Sequence, residues 1–256
     1  MFAHRGASGT HPENTLVAFS AGLAAGADRL ELDVHATADG HVVVLHDATL
    51  ERTTNGAGPV RAIGLAELQR LDAGFRFRAP DGSHPYRGQG IRVPTLEDLL
   101  AAHPDVPLNI EVKQGDPPIA DAVLAVLDRH DARERTLLAA EHHDIMGSIR
   151  AVAPDVVTGA STADVADFIF RLRDGRLADY RPAAKALQVP PDHEGTPIVT
   201  ADSVATAHRF GLEVHVWTIN EEAEMARLLD LGVDGLMTDF PARGAALLRR
   251  RGLRPV

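Results

Sequence analysis

Residues 29–46 read Arg29-Leu30-Glu31-Leu32-Asp33-Val34-His35-Ala36-Thr37-Ala38-Asp39-Gly40-His41-Val42-Val43-Val44-Leu45-His46, two strand-like runs with no room for a helix between them. The first, Arg29–Val34, places Glu31 and Asp33 on one face, because alternate residues of a strand point the same way. His35 continues that face. The second, His41–His46, must return antiparallel, since the intervening Asp39-Gly40 is a strong two-residue hairpin signal. Pairing about that turn sets Asp33 opposite His46 and Val34 opposite Leu45. The added strand thereby carries His46 back beside the first.

Outward from this hairpin, short β-rich runs alternate with amphipathic stretches along the whole chain. The expected strands are Phe2–Arg5, Arg29–Val34, Leu108–Lys113, Thr136–Ala140, Val156–Ala160, Ala186–Val189, Glu213–Thr218 and Gly235–Asp239. Between them the helical period of three and four recurs, as in Val123, Val126 and Leu127 or Met225, Leu228 and Leu229. Strict alternation of strand and helix indicates a parallel sheet. Eight of each predicts an α/β fold, a distorted (β/α)8 TIM barrel with the extra hairpin strand after its second strand. A doubly wound open sheet is the competing architecture. Residues 1–256 are expected to form a single domain. Residues 47–93, too long for an ordinary βα loop, are expected as an insertion within it, with a short helix at Ala66–Leu71.

Composition narrows the function. The absence of cysteine excludes disulfides, thiolate metal sites and a cysteine nucleophile, so a metal must sit on carboxylates, imidazoles or backbone oxygens. A formal net charge of −10 argues against nonspecific nucleic-acid binding and stable association with an anionic membrane. The Arg249-Arg250-Arg251 run reads as cations complementing a helix C-terminus. With no apolar run of about 18 residues and no leader-like start, the chain is expected to be cytoplasmic. Oligomeric state is not legible.

Ionisable residues inside strands of Leu, Ile and Val cost free energy unless paired or metal-bound. Glu31, Asp33 and Glu111 are expected to converge at the barrel mouth as an all-oxygen site for one divalent cation, Mg2+ or Ca2+. The alternative is a buried ion-pair lattice with Arg29, Arg5 and Lys113. His4 and His46, brought to the same mouth by different segments, have the character of an acid/base pair. Arg5 and Lys113 supply positive charge for a phosphate. Trp217, the only tryptophan, would form an apolar wall or pack the barrel top. Asn14 is expected as a helix cap.

In order, these stretches resemble the glycerophosphodiester phosphodiesterase family: His4-Arg5-Gly6 with Pro12-Glu13-Asn14-Thr15, Glu31-Leu32-Asp33-Val34, Val44-Leu45-His46-Asp47, Pro94-Thr95-Leu96-Glu97, Ile110-Glu111-Val112-Lys113, Val214–Asn220 and Gly235–Pro241. The resemblance implies hydrolysis of a small-molecule glycerophosphodiester to glycerol 3-phosphate and an alcohol. By the same likeness Glu31, Asp33 and Glu111 match metal ligands, His4 and His46 the acid/base pair, Arg5 and Lys113 phosphate contacts, and Trp217 an aromatic on the glycerol side. The chain departs from the family where Glu141-His142 replaces a frequent Ser-Phe pair. Alternatives are a related lysophospholipase D-type phosphodiesterase, a divalent-metal barrel enzyme of enolate or aldehyde chemistry, and a non-catalytic barrel that binds phosphate esters.

Overall fold

The computed structural model describes residues 1–254. In chain order its elements are β1 (Phe2–His4), α1 (Leu16–Ala24), β2 (Arg29–Ala36), β3 (Val42–Val44), α2 (Leu65–Leu68), α3 (Leu96–Ala102), β4 (Leu108–Val112), α4 (Ala120–Arg129), β5 (Thr136–Ala139), α5 (His143–Val152), α6 (Thr162–Arg173), β6 (Ala186–Val189), β7 (Asp192–His193), β8 (Thr196–Pro197), α7 (Ala201–Arg209), β9 (Glu213–Val216), α8 (Glu222–Asp230), β10 (Gly235–Thr238) and α9 (Pro241–Arg250). Hydroxyl caps start several helices: Thr15, Thr95, Ser161 and Thr200 accept first-turn N–H groups of α1, α3, α6 and α7. The cap of α1 is therefore Thr15. Asn14, expected in that role, precedes it in a left-handed conformation at φ 57°.

Seven parallel strands curl in the order β5-β4-β2-β1-β10-β9-β6, with β10 pairing with β1 through Phe2 opposite Met237 and Ala3 opposite Thr238. This is the distorted (β/α)8 barrel. The expected fifth strand, Val156–Ala160, is reduced to single bridges, Leu138 to Thr158 and Gly159 to Ala186. Its backbone still spans β5 and β6: Gly159 N–H donates to Leu138 at 2.9 Å and Ala160 N–H to Ala186 at 2.8 Å. The segment makes only these contacts before it runs into the Ser161 cap of α6.

Along β2, Leu30, Leu32 and Val34 face the helices and share a core with Leu108, Ile110 and Val112 of β4. The alternate residues face inward, and much of what fills the barrel is polar. Asn109 and His215 are buried at 2% and 3% exposure, and Gln188 donates to the Asn109 Oδ1 at 2.7 Å across the interior. Hydrogen bonding offsets the cost of burying such groups.

β3 pairs antiparallel with β2 as expected, but the register is one residue away from the expected one. Val34 lies opposite Val44, His35 opposite Val43 and Ala36 opposite Val42. The reason is the turn. Thr37 N–H donates to His41 O at 3.0 Å, so three residues form the loop, the last being Gly40 at φ 83°. Asp33 thus faces Leu45, whose N–H it receives at 3.0 Å. Of β2, β1 pairs only with Arg29–Glu31, and β3 takes the edge that β1 vacates. His46 reaches the mouth along that edge.

Residues 47–93 carry their own apolar cluster. Leu50, Val60, Leu68, Ala73 and Val93 bury with Val43 and Leu45, while Val42 and Val44 join the barrel's outer core. The short helix is Leu65–Leu68, one residue earlier than expected and ending three residues sooner, its first N–H, that of Leu65, donating to both oxygens of Asp39 in the hairpin turn. Leu68 is fully buried, so Leu68→Ala should lower unfolding free energy by about 2–5 kcal/mol in urea titration. A smaller loss would mean the cluster collapses around the cavity.

Candidate active site

β2 and β4 run side by side with Asp33 opposite Glu111 and Glu31 opposite Asn109. Glu31, Asp33 and Glu111 therefore share the inner face, and one oxygen from each lies within 4.8 Å of the others. Like charges side by side on a sheet are unfavourable. Burial first, and the Asp33 charge next, push the Glu31 carboxyl up to about 8. Two cations answer the carboxylates in part. Lys113 Nζ lies 2.8 Å from Glu111 Oε1 and 3.6 Å from Asp33 Oδ1, and Arg5 Nε lies 3.3 Å from Asp33 Oδ2. Arg29, the third member of the competing ion-pair lattice, is not in it. It sits at the opposite end of β2 over the Phe2 ring.

Asn14 completes this group from below. Its Nδ2 donates to Asp33 Oδ2 at 2.9 Å, and its Oδ1 is a buried acceptor without a hydrogen-bond partner among the described residues. A buried acceptor beside three carboxylates, one of them held protonated, is a donor set that fits a hard divalent cation.

Both histidines use Nδ1 on a carboxylate. His4 Nδ1 lies 2.7 Å from Asp239 Oδ1, and Asp239 also receives Ser8 Oγ at 2.8 Å and Asn220 Nδ2 at 2.7 Å. Burial opposes a charged imidazole here, but Asp239 and Glu31 outweigh it, so the His4 pKa is raised. His46 Nδ1 lies 2.6 Å from Asp47 Oδ1. This pairing leaves Nε2 of each ring available, and His4 Nε2 is 3.9 Å from Glu31. His35, buried beneath, lies with Nε2 3.1 Å from the His46 carbonyl.

Trp217, directly after β9, is 41% exposed, an open apolar face and not a packed one. Glu141 and His142, after β5, are exposed. The structure thus brings together His4, Arg5, Glu31, Asp33, Glu111 and Lys113. Sequence reasoning missed Asp239, Asn220, Ser8, Glu13 and Arg52. Asp239 comes to His4 through barrel closure, because it follows the residue of β10 that pairs with Ala3.

A closed parallel barrel with carboxylates, imidazoles and cations gathered at the C-terminal ends of its strands has the site of a barrel enzyme, and its family makes that class a phosphoric diester hydrolase. The sequence pattern of the glycerophosphoryl diester phosphodiesterase family matches residues 4–243, and the chain belongs to that family. A glycerophosphodiester phosphodiesterase of Caldanaerobacter subterraneus is 32% identical, over 98% of each chain. Among solved structures, the phosphodiesterase domain of a Mycobacterium tuberculosis protein superposes with a TM-score of 0.84 at 26% identity, covering 97% of this chain and 98% of that one. An Oleispira antarctica phosphodiesterase in complex with its product sn-glycerol-3-phosphate does so with 0.78 at 27% identity, covering 97% and 96%.

Proposed function

We propose that the chain hydrolyses glycerophosphodiesters to sn-glycerol 3-phosphate and an alcohol, with His4 and His46 as the proton-transferring pair. The observation that carries this is the matched arrangement of the two rings, each with Nδ1 on an aspartate and Nε2 left available. One ring takes the proton from the attacking oxygen, and the other donates one to the departing alkoxide. Asp239 and Asp47 hold each ring in place and favour the imidazolium formed in turn. Arg5 and Lys113 lie where they can hold the phosphoryl oxygens and stabilise the charge that develops on them.

Glu31, Asp33 and Glu111, with Asn14 Oδ1 beside them, would hold one divalent cation, Mg2+ or Ca2+. When bound, it supplies Lewis-acid stabilisation of the phosphoryl group. Trp217 provides an apolar wall on the glycerol side. Glu141 and His142 place polar, ionisable groups at the rim, which favours a polar alcohol.

The test is a panel of glycerophosphodiesters with lysophosphatidylcholine included, assayed with Mg2+, Ca2+ and Mn2+ in turn. Release of glycerol 3-phosphate from glycerophosphocholine, read by a coupled dehydrogenase, is the expected result. Tight binding of these esters without any release would make the chain a binding barrel. The attacking oxygen is tested separately, with an analogue lacking the glycerol 2-hydroxyl. If that hydroxyl attacks to give a cyclic phosphate, turnover of the analogue falls by at least about 10³-fold, the scale of losing an intramolecular nucleophile. Unchanged turnover assigns the attack to water.

A further inference from the structure

Outside the groups used so far, one side chain joins two arms of the mouth. Arg52, in the turn after Asp47, makes four hydrogen bonds to two carboxylates from separate segments. Its Nη1 and Nη2 each lie 2.7 Å from an oxygen of Glu13, ahead of α1. Its Nε lies 2.6 Å and its Nη2 3.0 Å from the two oxygens of Asp47. Each carboxylate touches the proposed machinery: Glu13 Oε1 accepts from Arg5 Nη1 at 3.1 Å, and Asp47 Oδ1 is the partner of His46 Nδ1 at 2.6 Å. The result is an unbroken file, Arg5–Glu13–Arg52–Asp47–His46, that spans the gap between the segment after β1 and the segment after β3.

We infer that Arg52 is a positioning residue, holding the His46 ring through Asp47 and the Arg5 guanidinium through Glu13 in one fixed arrangement. Isolated exposed ion pairs contribute little, but a doubly bidentate arginine in a network is the exception to that rule. Only a guanidinium offers a planar fork with enough N–H groups for both carboxylates, so lysine cannot substitute. Without Arg52 the two carboxylates would keep only Arg5 and His46 as partners, and with no cation between them they would swing apart, each taking its partner along. The charges agree with this geometry. Against the pull of burial, Arg52 holds Glu13 below the usual carboxylate range and Asp47 down to about 2.

This inference rests on the reading of His46 and Arg5 given above, so its test has an arm that does not depend on turnover. In Arg52→Met, kcat for glycerophosphocholine should fall roughly 10–100-fold, the usual scale for groups that orient reacting ones, with KM changing far less. In nitrogen-edited NMR the His46 Nδ1–H resonance should exchange away, while that of His4, held by Asp239, persists as an internal control. Arg52→Lys should recover only a minor part of kcat and carries the comparison if the methionine variant does not fold. Wild-type kcat, or a reduced kcat with the His46 resonance unchanged, would overturn the inference and leave Arg52 an ordinary surface pair. If the unmodified protein hydrolyses no glycerophosphodiester, the functional reading fails, and the His46 resonance alone still decides the role of Arg52.

Discussion

Replacing His46 by alanine is expected to lower kcat on glycerophosphocholine by about 10²–10⁴-fold, the range for removing a general acid or base, with the fold intact. The ring is about a third exposed, and its bonds are to Asp47 at the surface of the mouth, not to the barrel core. Its removal therefore takes little apolar area out of burial and leaves the circular dichroism spectrum and the melting temperature nearly unchanged. His4→Ala should lose activity on the same scale but cost more stability, because His4 is more buried and its loss strands Asp239 among Ser8 and Asn220. Full turnover in His46→Ala would remove that ring from the chemistry.

Chelation is the second large effect. EDTA should abolish turnover, and Mg2+, Ca2+ or Mn2+ should restore it. Stability carries an independent signature. In the metal-free fold Glu31 keeps its proton up to about 8, whereas in the unfolded chain it ionises near 4.5. Between those values the folded state binds more protons than the unfolded one, so metal-free stability falls as pH rises from about 4.5 to about 8. A bound cation favours the carboxylate and removes that decline. The melting-temperature gap between metal-loaded and chelated protein should therefore widen from pH 5 toward pH 8. A gap that stays constant across this window would exclude Glu31 as a ligand.

The parts of the site that were legible in the sequence are those fixed by strand periodicity. Glu31 and Asp33 share a face because they are two residues apart on β2, and Glu111 joins them once β4 is placed beside it. The antiparallel return of β3 was equally local. Its register was not, because whether Asp39-Gly40 is a two-residue turn or the end of a three-residue one depends on Thr37 and His41 closing the loop. Asn14 looked like a cap because asparagine commonly is one, yet Thr15 took that role and left the amide to Asp33. Val156–Ala160 had strand composition, yet it makes only single bridges to its two neighbours. The Asp239 contact with His4 depends on barrel closure between residues 235 positions apart, which no local pattern announces.

β3 has one further consequence. Its residues are anchored in different cores, Val42 and Val44 in the barrel's outer layer, and Val43, with Leu45 just after the strand, in the cluster of residues 47–93. The placement of His46 can be no firmer than the weaker of the two. Warming, or a cavity such as that of Leu68→Ala, would loosen the smaller cluster while the barrel stays closed. Catalysis would then fail at a lower temperature than secondary structure, making the working range of the enzyme a property of its smallest core.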